Sequence, residues 1–377
     1  MRAELFSAEQ LSRHARMLSA DHRAAIRPGS NRLLARLGAN EQGLRAFNRA
    51  TLAVDPSRRI TPAAEWLLDN FYLIEEQIQM ARRHLPRGYS RELPRLLSGP
   101  SEGLPRVYDI VLEMIAHVDA QVDVAPLTAF IASYQTINCL KLGELWAIPI
   151  MLRLGLIENL QRITARLALG RQDRDLADLW VDRLQEMAER SPSHLVIVVA
   201  DMAESDIALT SSFVAEFNQR LARQSPVLHL ARGWLEQRLA EEGMSVEQLV
   251  QQESQNQAAD QVSISHSIAS LRLLSATDWK AFVETLSLVE KTLRSDPAGV
   301  YGAMDFATRD RYLHAVESFA RHGRLPEADV ARQAVQLAAE SARRLGPSDR
   351  SAHVGYYLVD KGRPELGRRV EVRWPHR

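Results

Sequence analysis

Few residues of the 377-residue chain have the types and spacing that catalysis or metal binding requires. Asp173 and Asp175 form an Asp-x-Asp motif, which in many glycosyltransferases holds a divalent ion and a sugar diphosphate. That chemistry needs a strand end that directs both carboxylates at the ion, whereas here the motif precedes the helical stripe of Leu176, Trp180 and Leu184. We therefore expect two acidic residues in a first helical turn, with a sugar-nucleotide site as the alternative.

The histidines and the single cysteine favour structural roles. None of the eleven histidines forms His-Glu-x-x-His or a paired His/Cys spacing, which argues against a zinc site. His117 follows apolar residues and is expected to be partly buried and hydrogen-bonded. Cys139 lies beside an apolar segment and is expected in the core. With no phosphate-binding glycine loop or nucleophile elbow in the sequence, we expect no catalytic, cofactor-binding or metal-binding residue in this chain.

The composition indicates a large folded protein and argues against several classes of function. With 46% hydrophobic and 25% charged residues, the chain can bury a substantial core. Lys and Arg together number 47, as do Asp and Glu, and this zero net charge predicts no nucleic-acid partner. No segment has the roughly 20 apolar residues of a transmembrane helix, and no secretory signal pattern is present. We therefore expect a cytoplasmic location.

The hydrophobic periodicity is helical almost throughout, which predicts an all-α fold of about a dozen packed helices. A stripe from Leu67 to Leu85 predicts one helix that Thr61 and Pro62 open. A second stripe, Trp279–Leu293, predicts another single helix.

One segment, Leu142–Ile157, is apolar nearly all round, which predicts a buried central helix that Pro149 kinks or splits. The polar segment Gln251–His266 is expected to be a solvated helix face, with a helix–helix interface as the alternative. Weak internal similarity leaves a solenoid-like stack open as the architecture.

The expected domain organisation is a helical region over 1–345, with a possible sub-boundary near 170–192 or at 224. Residues 346–377 are expected to form a basic tail. Between Lys361 and Arg377, six basic side chains face two acidic ones, a net charge of +4. Such a cluster is typical of a juxtamembrane segment on the cytoplasmic side.

Seven blocks of sequence share an order and character with one known family. They are Trp66–Ile78, Arg82–Arg95, Pro105–Asp119, Leu142–Leu160, Ala258–Leu271, Asp296–Tyr312 and His353–Gly362. In order over roughly residues 4 to 366, they resemble the N-terminal region of bacterial cyclic β-1,2-glucan synthases. The blocks are long and rich in Trp, Tyr and Pro, so chance is a poor explanation.

The resemblance implies a parent enzyme much larger than this chain. Synthases of this family are inner-membrane enzymes that use UDP-glucose to build, cyclise and trim a β-1,2-glucan. Their transferase and membrane domains lie downstream of the matched region, so none of their catalytic residues has a counterpart position here. The resemblance therefore implies no cofactor for this chain, UDP-glucose and a divalent metal in the downstream transferase domain, and a place on the cytosolic face of the inner membrane.

The leading hypothesis is a non-catalytic module that scaffolds or regulates the transferase, its partners being the downstream transferase and membrane domains. One alternative is that the charged side chains of these blocks only pair with one another within the fold. Another alternative is that the chain is an independent helical adaptor with an unrelated partner. The candidate contacts are expected to be exposed side chains of the recognised blocks, with the first five on or beside one helix: Asp69, Asn70, Tyr72, Glu75, Glu76, Arg91, Glu92, Lys141 and Glu144.

Overall fold

The structure is a computed structural model that describes residues 4–26, 32–54, 60–85, 92–222 and 228–372. Within these residues the chain forms 17 α-helices and one pair of two-residue antiparallel strands, β1 (Ala24–Ala25) and β2 (Arg95–Leu96). The all-α fold class is confirmed. The predicted number of helices, about a dozen, is lower than the 17 observed.

The helices fall into three groups along the chain. Six precede the longest helix: α1 (Ala8–Asp21), α2 (Arg32–Leu52), α3 (Pro62–Asp69), α4 (Phe71–His84), α5 (Arg106–His117) and α6 (Val124–Gln135). The longest and its four successors are α7 (Leu142–Arg190), α8 (Leu195–Glu204), α9 (Ser211–Ala222), α10 (His229–Glu241) and α11 (Val246–Ala276). Six shorter helices follow: α12 (Trp279–Leu286), α13 (Leu288–Leu293), α14 (Phe306–His322), α15 (Glu327–Leu345), α16 (Val354–Val359) and α17 (Arg363–Arg369).

Two stripes that predict single helices are each divided by a polar residue. The stripe from Leu67 to Leu85 is buried as predicted, but Asn70 separates α3 from α4, and its amide donates to the Trp66 carbonyl at 2.9 Å. In the second stripe, the Ser287 hydroxyl accepts from the backbone N–H of Glu290 at 3.1 Å and caps α13. Asn and Ser side chains compete with the helix for backbone hydrogen bonds in this way.

The predicted buried central helix is α7, and it runs unbroken for 49 residues. Pro149 does not split it. Ala147, Ile148, Met151 and Leu152 are all fully buried, and burying a large apolar side chain contributes about 1.5–3 kcal/mol, enough together to offset the roughly 3 kcal/mol cost of proline.

The same helix excludes the solenoid alternative. Helices from both ends of the chain pack on α7, among them α2, α4, α5, α9, α11 and α12. In a solenoid, each repeat contacts only its sequence neighbours.

Buried apolar side chains form two clusters, which α7 and α11 connect. The larger core holds α1–α6, the first half of α7, the second half of α11 and α12–α17. The smaller core holds α7 from Ala177 to Leu184, α8–α10, and the start of α11. The sub-boundary predicted near 170–192 overlaps the last third of α7, which ends at Arg190, and residue 224 lies outside the described residues.

The polar segment Gln251–His266 lies in α11, and its inner side forms a helix–helix interface with α7. Three contacts show that the two helices are antiparallel: Asn159 Nδ2 to Ser267 Oγ (3.0 Å), Arg166 Nη2 to Asp260 Oδ1 (2.5 Å) and Arg174 Nη1 to Glu253 Oε1 (3.5 Å). The segment was expected to be solvated, with a helix–helix interface as the alternative. The interface is confirmed for Glu253, Asp260 and Ser263, which are buried.

The C-terminal segment 346–377 is described as far as Val372. In this part, Val354, Leu358, Leu366 and Val370 are fully buried in the larger core, and α16 and α17 pack on α15. The described part of the segment is thus folded, and its juxtamembrane role stays a prediction.

Candidate interaction surface

The outer face of α3 and α4 carries three of the predicted contact residues that are exposed, namely Asp69, Tyr72 and Glu76. Because Leu67 and Ile74 point into the core, the opposite side of these helices faces solvent. Tyr72 is 65% exposed and Trp66 is 42% exposed. Asp69 and Glu76 are also exposed, and we call Trp66, Asp69, Tyr72 and Glu76 the α3–α4 outer face. Each of the two helices thus presents one accessible aromatic ring and, three or four residues further on, one exposed carboxylate, which together offer apolar contact area and negative charge.

Asn70 was predicted among the exposed contacts, and that prediction is wrong. It is 6% exposed at the junction of α3 and α4. Its Oδ1 accepts from Arg272 Nη2 of α11 at 2.7 Å, while its Nδ2 donates to the Trp66 carbonyl. Asn70 therefore joins three helices from inside the fold.

Glu75 pairs within the protein, as the alternative hypothesis expects. Arg45 of α2 lies 3.3 Å from Glu75 and 3.2 Å from Glu41, and Glu41 also contacts Arg82. These partly exposed charges link α2 to α4, and each such pair contributes roughly 0.2–1 kcal/mol.

Glu144 was also predicted as an exposed contact, but its side chain is fully buried. Both of its oxygens accept from Arg106 at 2.7 Å, and one also accepts from the Lys141 backbone N–H at 2.9 Å. Burial opposes the charge on Arg106, but the hydrogen bonds and charge of Glu144 outweigh it and raise the Arg106 pKa. The pair holds α5 against the start of α7.

The remaining predicted contacts lie beside other elements. Lys141 is exposed at the start of α7, where the adjacent backbone N–H of Leu142 donates to Glu327 of α15 at 2.8 Å. Glu92 is exposed and pairs with Arg321 of α14 at 3.0 Å. Arg91 lies outside the described residues.

A cleft of about 530 Å³ lies between α1, α5 and α7, and sequence reasoning missed its polar groups. His22 bridges Asp109 at 3.1 Å and the Tyr134 hydroxyl at 3.0 Å. Burial opposes ionisation of Asp109, but hydrogen bonds from His22 and Ser101 lower its pKa. Burial raises the pKa of Tyr134 to about 12. The ionised Asp109 and the neutral Tyr134 thus hold the His22 ring between α5 and α6.

The same cleft has a second polar cluster on its α7 side. The Tyr108 hydroxyl donates to Glu158 at 2.6 Å, and Arg36 pairs with the same carboxylate. Burial, followed by the negative charge of Glu158, raises the Tyr108 pKa. Each of these groups is engaged by its neighbours, which fits a structural role.

Asp173 and Asp175 lie on α7, so their predicted helical setting is confirmed, but they occupy the middle of the helix and not its first turn. Asp173 accepts from the Thr210 hydroxyl at 2.8 Å, and Asp175 lies 3.7 Å from Arg171. On a helix, residues two positions apart do not face each other, so the two carboxylates do not converge on one ion.

Asp175 lines a cleft of about 400 Å³ between α2, α7 and α9. Arg220 of α9 binds Asp178 at 2.7 Å and Asp182 at 2.6 Å. Burial opposes the charge on Arg220, but these two hydrogen bonds raise its pKa. Asp178 and Asp182 are therefore held in ion pairs between α7 and α9.

The two residues expected in structural roles have different outcomes. His117 is partly buried and its Nδ1 bonds the Glu4 carbonyl at 2.7 Å, which confirms the prediction. Cys139 is exposed, so its predicted place in the core is wrong. Its carbonyl, and not its thiol, contacts the interior through Arg106 at 2.8 Å.

None of the helices in the described ranges combines the length and apolar character needed to span a bilayer.

Comparison with known proteins identifies a relative of this chain by sequence. No protein-family model matches the chain. Over 339 residues, or 89% of its length, the chain is 33% identical to cyclic beta-(1,2)-glucan synthase NdvB of Rhizobium meliloti (strain 1021). The match covers 12% of that synthase, so the chain spans about one eighth of its relative's length. The resemblance of this chain to one region of the cyclic β-1,2-glucan synthases is thereby confirmed.

Proposed function

We propose that this chain is a non-catalytic helical module of a cyclic β-1,2-glucan synthase, and that it scaffolds or regulates the glucosyltransferase. The observation that carries the proposal is the 33% identity to a synthase of which the match covers only 12%. The rest of such a synthase has ample length for the transferase. In this proposal, UDP-glucose and a divalent metal bind that transferase, and the module itself takes no part in the glucosyl transfer.

The α3–α4 outer face is the proposed contact with the neighbouring domains. Tyr72 and Trp66 are the kind of side chain that dominates binding energy in protein interfaces. Their exposed rings lie on a rigid support, because Leu67 and Ile74 on the inner side are fully buried. Asp69 and Glu76 add negative charge, so the proposed partner surface has an apolar pocket rimmed by basic residues.

The proposed location is the cytosolic face of the inner membrane. The support is the basic segment Lys361–Arg377, whose net charge of +4 suits a position next to the cytoplasmic surface. Arg363 and Arg368 line a shallow surface cleft with Gly367 at this end of the fold.

The test is made in a synthase that carries this region, by measuring glucan synthesis from radiolabelled UDP-glucose in isolated membranes. Tyr72→Ala combined with Glu76→Arg removes one aromatic ring and reverses one charge. Loss of an interface hot spot costs about 2 kcal/mol or more. Domain docking should therefore weaken roughly 30-fold, and glucan formation should fall with it.

Leu230→Ala combined with Glu247→Arg is the matched control, because both side chains are exposed on α10 and α11 of the smaller core. It should leave synthesis unchanged, with equal amounts of each synthase verified in the membranes. Normal initiation, elongation and cyclisation in the Tyr72/Glu76 variant would place the contact elsewhere. The same result after deletion of the whole region would refute the scaffolding role.

A further inference from the structure

Three side chains from two helices converge at the outer end of the α1–α5 contact. They are His14 of α1 and Glu113 and His117 of α5. Glu113 Oε2 lies 2.9 Å from His14 Nε2 and 3.6 Å from His117 Nε2. No two of the three donor atoms are more than 4.8 Å apart, and no second set of three His, Cys, Asp or Glu side chains is this compact within the described residues. We propose that these three side chains bind one Zn²⁺ ion.

The donor set suits zinc in both chemistry and spacing. Two imidazole nitrogens and one carboxylate oxygen are ligands that Zn²⁺ prefers, at metal–ligand distances of about 2.0–2.2 Å. Tetrahedral ligands at those distances lie about 3.3 Å from one another. The two measured separations, 2.9 and 3.6 Å, lie on either side of this value. The two histidine nitrogens lie at most 4.8 Å apart, so they need to approach each other by no more than about 1.5 Å to reach this spacing.

The tautomer of His117 favours metal binding. Its Nδ1 lies 2.7 Å from the Glu4 carbonyl oxygen, which can only accept a hydrogen bond. The proton of the neutral ring is therefore on Nδ1, and the lone pair of Nε2 faces Glu113 and His14. Metal-binding histidines are oriented by the same kind of hydrogen bond from their second ring nitrogen to a carbonyl or carboxylate.

Packing around the site limits the movement of both rings. The Phe6 ring stacks on His117, with centroids 3.8 Å apart and planes 6° apart, and meets His14 edge-on at 5.5 Å. The Phe6 backbone N–H also donates to the His117 carbonyl at 3.1 Å. Zinc at this position fastens α1 and the segment before it to the end of α5.

The site remains open to solvent on one side. The side chains of His14, Glu113 and His117 are 24%, 37% and 14% exposed, so an ion can enter and a water molecule can complete its coordination. Three protein ligands and one water are the usual set of an open zinc site. In the absence of metal, His14 and Glu113 form an ordinary hydrogen bond between α1 and α5, and the experiment separates these two states.

The test uses the whole chain, stripped of metal with a chelator and titrated with Zn²⁺ by calorimetry. We expect one ion per chain and a higher melting temperature with zinc. Co²⁺ as a probe should give the visible absorption of a tetrahedral site. Glu113→Gln preserves shape and removes the ligand charge, and His14→Ala removes a ligand from the other helix. Each should weaken zinc binding by about tenfold or more and abolish the thermal shift.

His314→Ala is the matched control. His314 lies 3.4 Å from Asp310 and 3.1 Å from Glu317 on α14, so it is a histidine between carboxylates without a second histidine. This variant should bind zinc like the wild type. Zinc binding that is absent in the wild type, or equal in the wild type and Glu113→Gln, would overturn the proposal. Chemical unfolding without metal shows whether each variant is folded. If His14→Ala does not fold, the zinc affinity of Glu113→Gln alone tests the proposal.

Discussion

Asp296 joins three parts of the C-terminal half through one buried carboxylate. Its side chain is 1% exposed, and His353 Nδ1 donates to Oδ2 at 2.8 Å. The backbone N–H of Val354 donates to Oδ1 at 3.0 Å, and that of Tyr301 donates to Oδ2 at 3.3 Å. Burial opposes ionisation of the carboxyl, but these hydrogen bonds, with His353 first, outweigh it and lower the Asp296 pKa.

Stability at low pH should therefore depend on Asp296. A carboxyl whose pKa is depressed by folding stabilises the protein above its unfolded pKa of about 3.9, and this contribution is lost as the pH falls through the folded value. Asp296→Asn should lower the free energy of unfolding by about 1–3 kcal/mol near neutral pH. The difference from wild type should shrink as the pH falls below the unfolded pKa of about 3.9. Urea unfolding followed by circular dichroism over this pH range measures both effects.

Asp206→Asn serves as the control, because Asp206 is exposed in the segment after α8. It should follow the wild-type pH dependence. A constant difference between Asp296→Asn and wild type at every pH would show that ionisation of Asp296 does not contribute to stability.

The positions of some single residues were not predictable, because their partners are distant in the sequence. Glu144 is paired with Arg106, 38 positions away, and His14 meets Glu113 across 99 positions. The sequence shows each charge but not its partner, so Glu144 was expected at the surface. Of the proposed zinc ligands, only the four-residue step from Glu113 to His117 is a local signal, and it is common on helices.

At the scale of helices, α5 and α7 approach closely at one glycine. A β-carbon on Gly155 would lie 2.7 Å from Ile115 Cδ1 and 3.3 Å from Leu112 Cδ2, both on α5. Ile115 is 4% exposed, so it has little room to move. Gly155 therefore sets the distance between the helix that carries Glu113 and the central helix.

Alanine at Gly155 should destabilise the protein although alanine favours a helix. The gain from helix propensity is about 0.5–1 kcal/mol, whereas overpacking a tight contact costs about 1–3 kcal/mol. The free energy of unfolding should fall by about 1 kcal/mol, measured in urea. Gly233 of α10 has open space where a β-carbon would lie, so Gly233→Ala should increase stability by the propensity gain alone. An equal increase in both variants would contradict the close approach.

Helices were predictable where their signals are local. The start of α1 has such a signal in the capping-box sequence Ser7-Ala-Glu-Gln10, and the Ser7 N–H donates to Gln10 Oε1 at 2.8 Å while the Gln10 N–H donates to Ser7 Oγ at 3.3 Å. The effect of Pro149 was not predictable in the same way. Whether a proline divides a helix depends on the packing around it, and the helices that pack on α7 come from distant parts of the chain.

At the scale of the whole molecule, two cores of unequal size share two long helices. The larger core draws apolar side chains from most helices, whereas the smaller one relies on α8, α9, α10 and parts of α7 and α11. Local stability follows the amount of buried apolar contact, so the smaller core should open first. The polar contacts between α7 and α11, such as Arg166 with Asp260, lie between the cores and belong to the part that stays closed.

A cavity in the smaller core should therefore loosen that core alone. Phe217 is fully buried and stacks on Phe213 at 5.4 Å, and Phe→Ala in a core costs about 3–5 kcal/mol. Amide hydrogen exchange in α8, α9 and α10 should speed up by about 100-fold or more in Phe217→Ala, since each 1.4 kcal/mol is about tenfold. Exchange in α5 should stay at the wild-type rate. Phe130→Ala in the larger core should accelerate exchange in both cores, because α7 and α11 lose their support. Equal acceleration in α5 and α9 of Phe217→Ala would mean that the two cores unfold as one unit.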